Sequence, residues 1–73
     1  MEWQKVTSSN IVAVGYDRNQ RVLGIEFVSG GVYDYTGVPK ETFDDFVKSG
    51  SLGKFFYANI RDKFPTKKVR DNG

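Results

Sequence analysis

Cysteine and histidine are both absent from the 73 residues, so no disulfide can form and the usual zinc ligand sets cannot be assembled. A serine nucleophile would lack its common base as well, because Ser8 and Ser9 have no imidazole to activate them. Asp44 and Asp45 are neighbours on an expected helix and diverge by about 100°, which keeps them from sharing a proton or a metal as a dyad. These absences point away from an enzyme: no catalytic residue, no metal site and no cofactor are expected. Long hydrophobic runs are missing too. The longest, Ile11 to Val14, has four residues, against ~20 for a bilayer-spanning helix and ~7 to 15 for the core of a signal peptide. The expectation is a cytoplasmic protein with no membrane partner.

Aromatic residues, by contrast, are plentiful, with six Phe, four Tyr and one Trp. A chain of this length has room for one domain, and each aromatic buries on the order of 150 to 250 Å², enough to build a core without staples. A single domain over 1–73 is expected, with its core over about 3–65 and 66–73 as a basic, flexible tail.

Charge is balanced in total and uneven along the chain. The net is +2, yet residues 1–50 carry five basic and seven acidic groups while 51–73 carry six basic and two acidic. A polyanion responds to the local field rather than the sum, which directs attention to the final third.

Alternation and turn residues mark three strands. Ile11 to Tyr16 is the first, and Asp17 to Gln20 suits a four-residue hairpin. Arg21 to Val28 places Leu23, Ile25 and Phe27 on one face and Glu26 on the other. Val32 to Thr36 contains Tyr33 and Tyr35, which share a side. A two-residue turn at Ser29 and Gly30 puts the tyrosines with Glu26 on the outer face, whereas a three-residue turn ending at Gly31 puts them beside Ile25 and Phe27. The register thus decides between packing and exposure.

Helices follow. Pro39 suits a helix start, and Glu41, Asp44 and Asp45 favour that end of the dipole. Phe43, Phe46 and Val47 form a stripe facing the sheet. Ser49 and Gly50 end this helix and Ser51 can cap the next, in which Leu52, Phe56, Ile60 and Phe64 recur every four residues, widened by Phe55. Pro65 ends the regular structure. The expected class is α+β: a three-stranded antiparallel meander followed by two short helices packed on one sheet face.

The order of these residues resembles the KTSC domain. The resemblance runs from Trp3 to Pro65 through Ser8-Ser9-Asn10-Ile11, Val14-Gly15-Tyr16-Asp17, Phe27 to Tyr35 with its central Tyr33-x-Tyr35, Val38-Pro39, Ser51-Leu52-Gly53-Lys54-Phe55-Phe56 and Asn59-Ile60-Arg61. Tyr57 departs from the smaller polar residue the pattern leads one to expect. The family takes its name from lysyl-tRNA synthetases, some of which carry it at the C-terminus, and it also occurs as a stand-alone small protein in bacteria and phages. Membership implies no established activity; RNA binding is what the synthetase association suggests.

The residues supply their own case for that ligand. Lys54, Tyr57 and Arg61 fall three and four apart on the expected second helix, and Lys63, Lys67, Lys68 and Arg70 lie just beyond. This composition tracks a phosphate backbone. Tyr33 and Tyr35 would stack on bases if the register exposes them. Ser49 to Lys54 places small residues and a lysine at a helix start, a place for phosphate, although Lys48 and Phe55 stand where a P-loop needs Gly and Ser or Thr. The expected function is a small non-enzymatic module binding RNA or other nucleic acid through Tyr33, Tyr35, Lys54, Tyr57, Arg61, Lys63, Lys67 and Lys68. The alternative is a protein-interaction module docking on a bacterial or phage protein through the uncovered sheet face or an edge strand.

Overall fold

The computed structural model describes residues 1–71 and places five strands and two helices in the order β1 (Glu2–Lys5), β2 (Ile11–Asp17), β3 (Val22–Phe27), β4 (Gly31–Thr36), α1 (Lys40–Lys48), α2 (Leu52–Asn59) and β5 (Thr66–Asp71). All five strands pair antiparallel in sequence order, β5 returning after the helices to lie beside β4. The α+β class stands, and the three-stranded meander is corrected to a five-stranded sheet. The two added strands are the edges, and every residue in both is exposed. Neither has a buried face to print an apolar alternation on the sequence; each forms because β2 or β4 offers a row of free backbone groups. Residues 66–71, expected in a flexible tail, are β5; Asn72 and Gly73 lie outside the described residues.

Local chemistry sets the hairpins. Asp17 accepts from the N–H groups of Asn19 and Gln20 at 2.9 and 3.1 Å, so its carboxylate substitutes for a backbone turn. Arg21 takes a left-handed conformation with φ +57°, which places the four loop residues at 18–21, one later than the sequence suggested. The Arg21 carbonyl then accepts from both Gly37 and Val38 at 2.9 Å. That clasp holds the entry to α1 against the β2–β3 loop. Tyr16 reinforces it by donating its hydroxyl to the Val38 carbonyl at 2.5 Å and stacking on Phe43 with ring centroids 4.8 Å apart.

The core lies between the sheet and the helices. Val14, Tyr16, Leu23, Ile25 and Tyr35 meet Phe46, Phe56 and Ile60, all buried. Ser51 caps α2 as expected, its hydroxyl accepting from Lys54 N–H at 3.4 Å. Beyond Asn59 the chain leaves the helix through Asp62, at φ +62°, yet Phe64 still packs against the core. Among the described residues no helix is long and apolar enough to cross a membrane.

Among the described residues no helix covers the opposite sheet face. Its centre is a pair of facing glycines, Gly15 and Gly24, with Trp3 opposite Gly15 on β1. The Trp3 indole lies over both: a Cβ built on Gly24 would come within 2.6 Å of the ring and one on Gly15 within 2.9 Å. The glycines are thus a seat for the indole, which remains 41% exposed. Gly24→Val is expected to lever Trp3 off the sheet and cost about 1 to 3 kcal/mol through overpacking. Urea unfolding followed by circular dichroism checks the loss, and the emission of this sole tryptophan checks the displacement. Trp3→Ala should recover most of the loss, and an unmoved spectrum in Gly24→Val would contradict the seating.

Candidate functional site

The β3–β4 connection decides the tyrosines. Ile25 pairs with Tyr33 and Leu23 with Tyr35, and Gly30 N–H closes the turn on Phe27 O at 2.9 Å. The loop is therefore the three residues 28–30, one earlier than the three-residue alternative considered from sequence, and both tyrosines share the helix face with Ile25 and Phe27. Tyr35 is only 5% exposed and meets Phe56 edge-on at 5.6 Å. Burial pushes its hydroxyl up to about 12, Tyr33 adding to the shift and Arg61 opposing it. Tyr33 is half-buried, edge-on to Phe27 at 5.6 Å, with its ring folded over Gly31. The buried Tyr35 ring presents no face as a stacking platform, whereas Tyr33 stays partly exposed. This corrects the role expected of Tyr35, since a domain with little core spends such large apolar area on packing.

Of the grouping expected on α2, Lys54 and Tyr57 are exposed on the helix, while Arg61 lies in the turn beyond its end at Asn59. The Arg61 guanidinium nonetheless sits 5.1 Å from the centroid of the Tyr57 ring, within cation–π range. Tyr57 itself rests on Phe56 at 5.5 Å and is 56% exposed. The remaining cations do not join one strip. Lys63 is exposed in the turn after α2. Lys68 pairs with Tyr33 on the helix side of the sheet, while Lys67 pairs with Asp34 and, with Arg70 opposite Val32, belongs to the helix-free side. The strand alternation that made residues 66–71 part of the sheet is what divides Lys67 from Lys68. Part of the Lys68 charge is also engaged: its ammonium lies 2.8 Å from Asp71, and that hydrogen bond raises its pKa above the ordinary lysine value.

A cleft opens beside this face of α2, between the β1–β2 loop and the α1–α2 connector. It measures about 660 Å³ and is bounded by Ser8, Ser9, Asn10, Ser51, Lys54 and Tyr57, among others. Local hydrogen bonds shape its walls. Ser8 Oγ accepts from the N–H groups of Asn10 and Ile11 at 3.2 and 3.4 Å, Asn10 O accepts from Val28 N–H at 2.9 Å, and Ser49 Oγ donates to Phe46 O at 2.8 Å. The connector's small polar residues drew notice from sequence; their meeting with Ser8 to Asn10, some forty positions away, did not. Two short runs of Ser and Asn were the visible signal, and only folding brings them face to face. Among the described residues no group of three or more metal-ligating side chains converges.

Comparison with known proteins places these features in a wider set. The KTSC domain profile matches residues 7–64. A protein of Tsukamurella paurometabola is 39% identical over 61 residues, covering 84% of this chain and 91% of that one. The lysine–tRNA ligase of Nostoc punctiforme is 37% identical over 60 residues, 82% of this chain but 11% of the ligase. The crystal structure of a KTSC domain protein from Yersinia pestis superposes with a TM-score of 0.93 at 39% identity, covering 94% of this chain and 97% of that chain.

Proposed function

The chain belongs to the KTSC domain family, and from that premise we propose that it is a non-enzymatic module that binds RNA or another nucleic acid at the exposed face of α2. One observation carries the reading: a solvent-facing ring, Tyr57, lies in a stripe between Lys54 and Arg61, with Arg61 held 5.1 Å from the ring centroid. An aromatic face stacks on any base, and the flanking cations neutralise phosphates as the strand passes. Lys68 adds a cation on the helix side of the sheet and Lys63 one in the turn after α2; Lys67 contributes from the other side only as long-range field. The ligase of Nostoc punctiforme, whose name includes tRNA, contains a segment similar to this chain, which supports RNA over DNA.

Fluorescence anisotropy with a labelled single-stranded RNA tests the proposal. With about three phosphates neutralised and a slope of ~0.7 per contact, affinity should fall roughly 20-fold between 50 and 200 mM salt. Tyr57→Ala should weaken binding by roughly 5- to 100-fold through lost stacking, and Arg61→Ala should also flatten the salt dependence. Absence of uptake at 50 mM salt would end the proposal.

A second reading has its own observation. The helix-free sheet face exposes Trp3 and Met1, whose side chains both lie over Gly15 and Gly24, apolar groups that a protein partner would cover. Salt-independent capture of one protein, lost in Trp3→Ala and retained in Tyr57→Ala, would favour it.

A further inference from the structure

The cleft beside Tyr57 has a second compartment with other walls. It measures about 380 Å³, and Ile11, Phe27, Val28, Ser29 and Phe56 line it alone. Ser9, Asn10, Gly53 and Tyr57 border both. Both compartments mix polar and apolar groups; the Phe27 and Phe56 rings belong only to the second, and the Lys54 ammonium only to the first. Gly53 keeps the passage open. A Cβ there would stand 3.2 Å from Asn10 Nδ2 and meet nothing else within 4 Å, so it would project into the junction itself.

We infer that this double cleft takes one unstacked nucleotide of a single strand, with its base in the compartment that Phe27 and Phe56 line and its phosphate toward Lys54. The inference rests on the nucleic-acid reading and narrows it to a single-stranded ligand. A nucleotide joins a flat ring system with polar edges to an anion, as the double cleft joins the Phe27 and Phe56 rings to the Lys54 ammonium. Tyr57 and Lys54, already assigned to the strand's path, form one wall of the first compartment, so the groove continues that surface inward. In a duplex the base faces are covered by their neighbours, and an aromatic-lined recess can receive only a base that has left the stack. Asn10 and Ser9, at the boundary, are placed to meet the base's polar edge.

The test compares one RNA sequence as a single strand and as a duplex with its complement, in the same salt, by anisotropy. The single strand is expected to bind at least tenfold more tightly. Gly53→Leu fills the junction without altering any charge, and it replaces glycine by a better helix former within α2. It should reduce single-strand affinity at least tenfold while the salt slope stays that of the wild type, with folding checked by circular dichroism. In the wild-type protein, amide shifts on adding the single strand should centre on Asn10, Gly53 and Phe27, a readout that stands even if the variant fails to fold. Equal binding of single strand and duplex, an unaffected Gly53→Leu, or shifts that avoid these three residues would overturn the inference and leave the nucleic-acid reading in place. No binding of either RNA at low salt would overturn both.

Discussion

Phe46→Ala is expected to destabilise the fold by about 3 to 5 kcal/mol, the range for removing a buried aromatic ring without refilling its space. Phe46 is 0% exposed, the largest of the fully buried side chains, and its ring lies 5.7 Å from that of Phe55. It sits where both helices meet the sheet, so the cavity would open between three elements at once. Such domains have only about 5 to 15 kcal/mol in hand, and at this length the lower part of that range applies, since little surface is buried per residue. A urea midpoint that fell by most of its value would agree. A loss under about 1 kcal/mol would mean that α1 can settle inward, and that the core is looser than its burial indicates.

Tyr35→Ala should cost a similar amount, about 3 to 5 kcal/mol by the same cavity argument, because its ring closes the core against Phe56 and over Leu23. Tyr57→Ala, removing an exposed ring, should stay within about 1 kcal/mol in the same urea experiment. The pair separates the two tyrosine positions: one holds the fold and the other faces solvent. Alkaline titration sharpens the first. The Tyr35 hydroxyl is raised from its ordinary 10.0 to about 12 in the folded protein, so the native state keeps this proton after the unfolded chain has released it. The stabilisation linked to the protonated hydroxyl is complete below pH 10 and is lost as pH rises through about 12. Tyr35→Phe preserves the packing and removes the titration. Wild type should therefore lose more stability than Tyr35→Phe between pH 10 and 12, read as the difference between their urea midpoints; parallel curves would refute the burial assigned to this hydroxyl.

The same residues show why parts of the molecule were legible early. Wherever neighbours in sequence are partners in space, the order of side chains sufficed. Asp17 turns its own hairpin, Ser51 caps its own helix, and Leu52, Phe56 and Ile60 line up because a helix repeats every 3.6 residues. Lys54 and Tyr57 belong to this class; Arg61 reaches Tyr57 from the turn after α2. Strands β1 and β5 do not belong to that class. Nothing in Glu2–Lys5 or Thr66–Asp71 distinguishes an edge strand from a polar tail, because what recruits them is the unpaired backbone of another segment, and backbone groups are the same at every position.

By itself, then, the chain order determined the two helices, the existence of the central strands, the absence of thiol and imidazole chemistry, and the placing of Lys54 and Tyr57 on α2. Tertiary structure alone decided that Tyr35 faces inward, that Lys67 and Lys68 part company across a sheet, that Trp3 rests on two glycines, and that Ser8 to Asn10 faces Ser51 and Lys54 across a cleft. The physical reason is one of range. Turns, caps and helical stripes are settled by interactions over three or four residues, whereas register, sheet edges and clefts depend on which distant segments find each other, and a one-residue change in the loop at 28–30 would have reversed every side chain that follows it in β4.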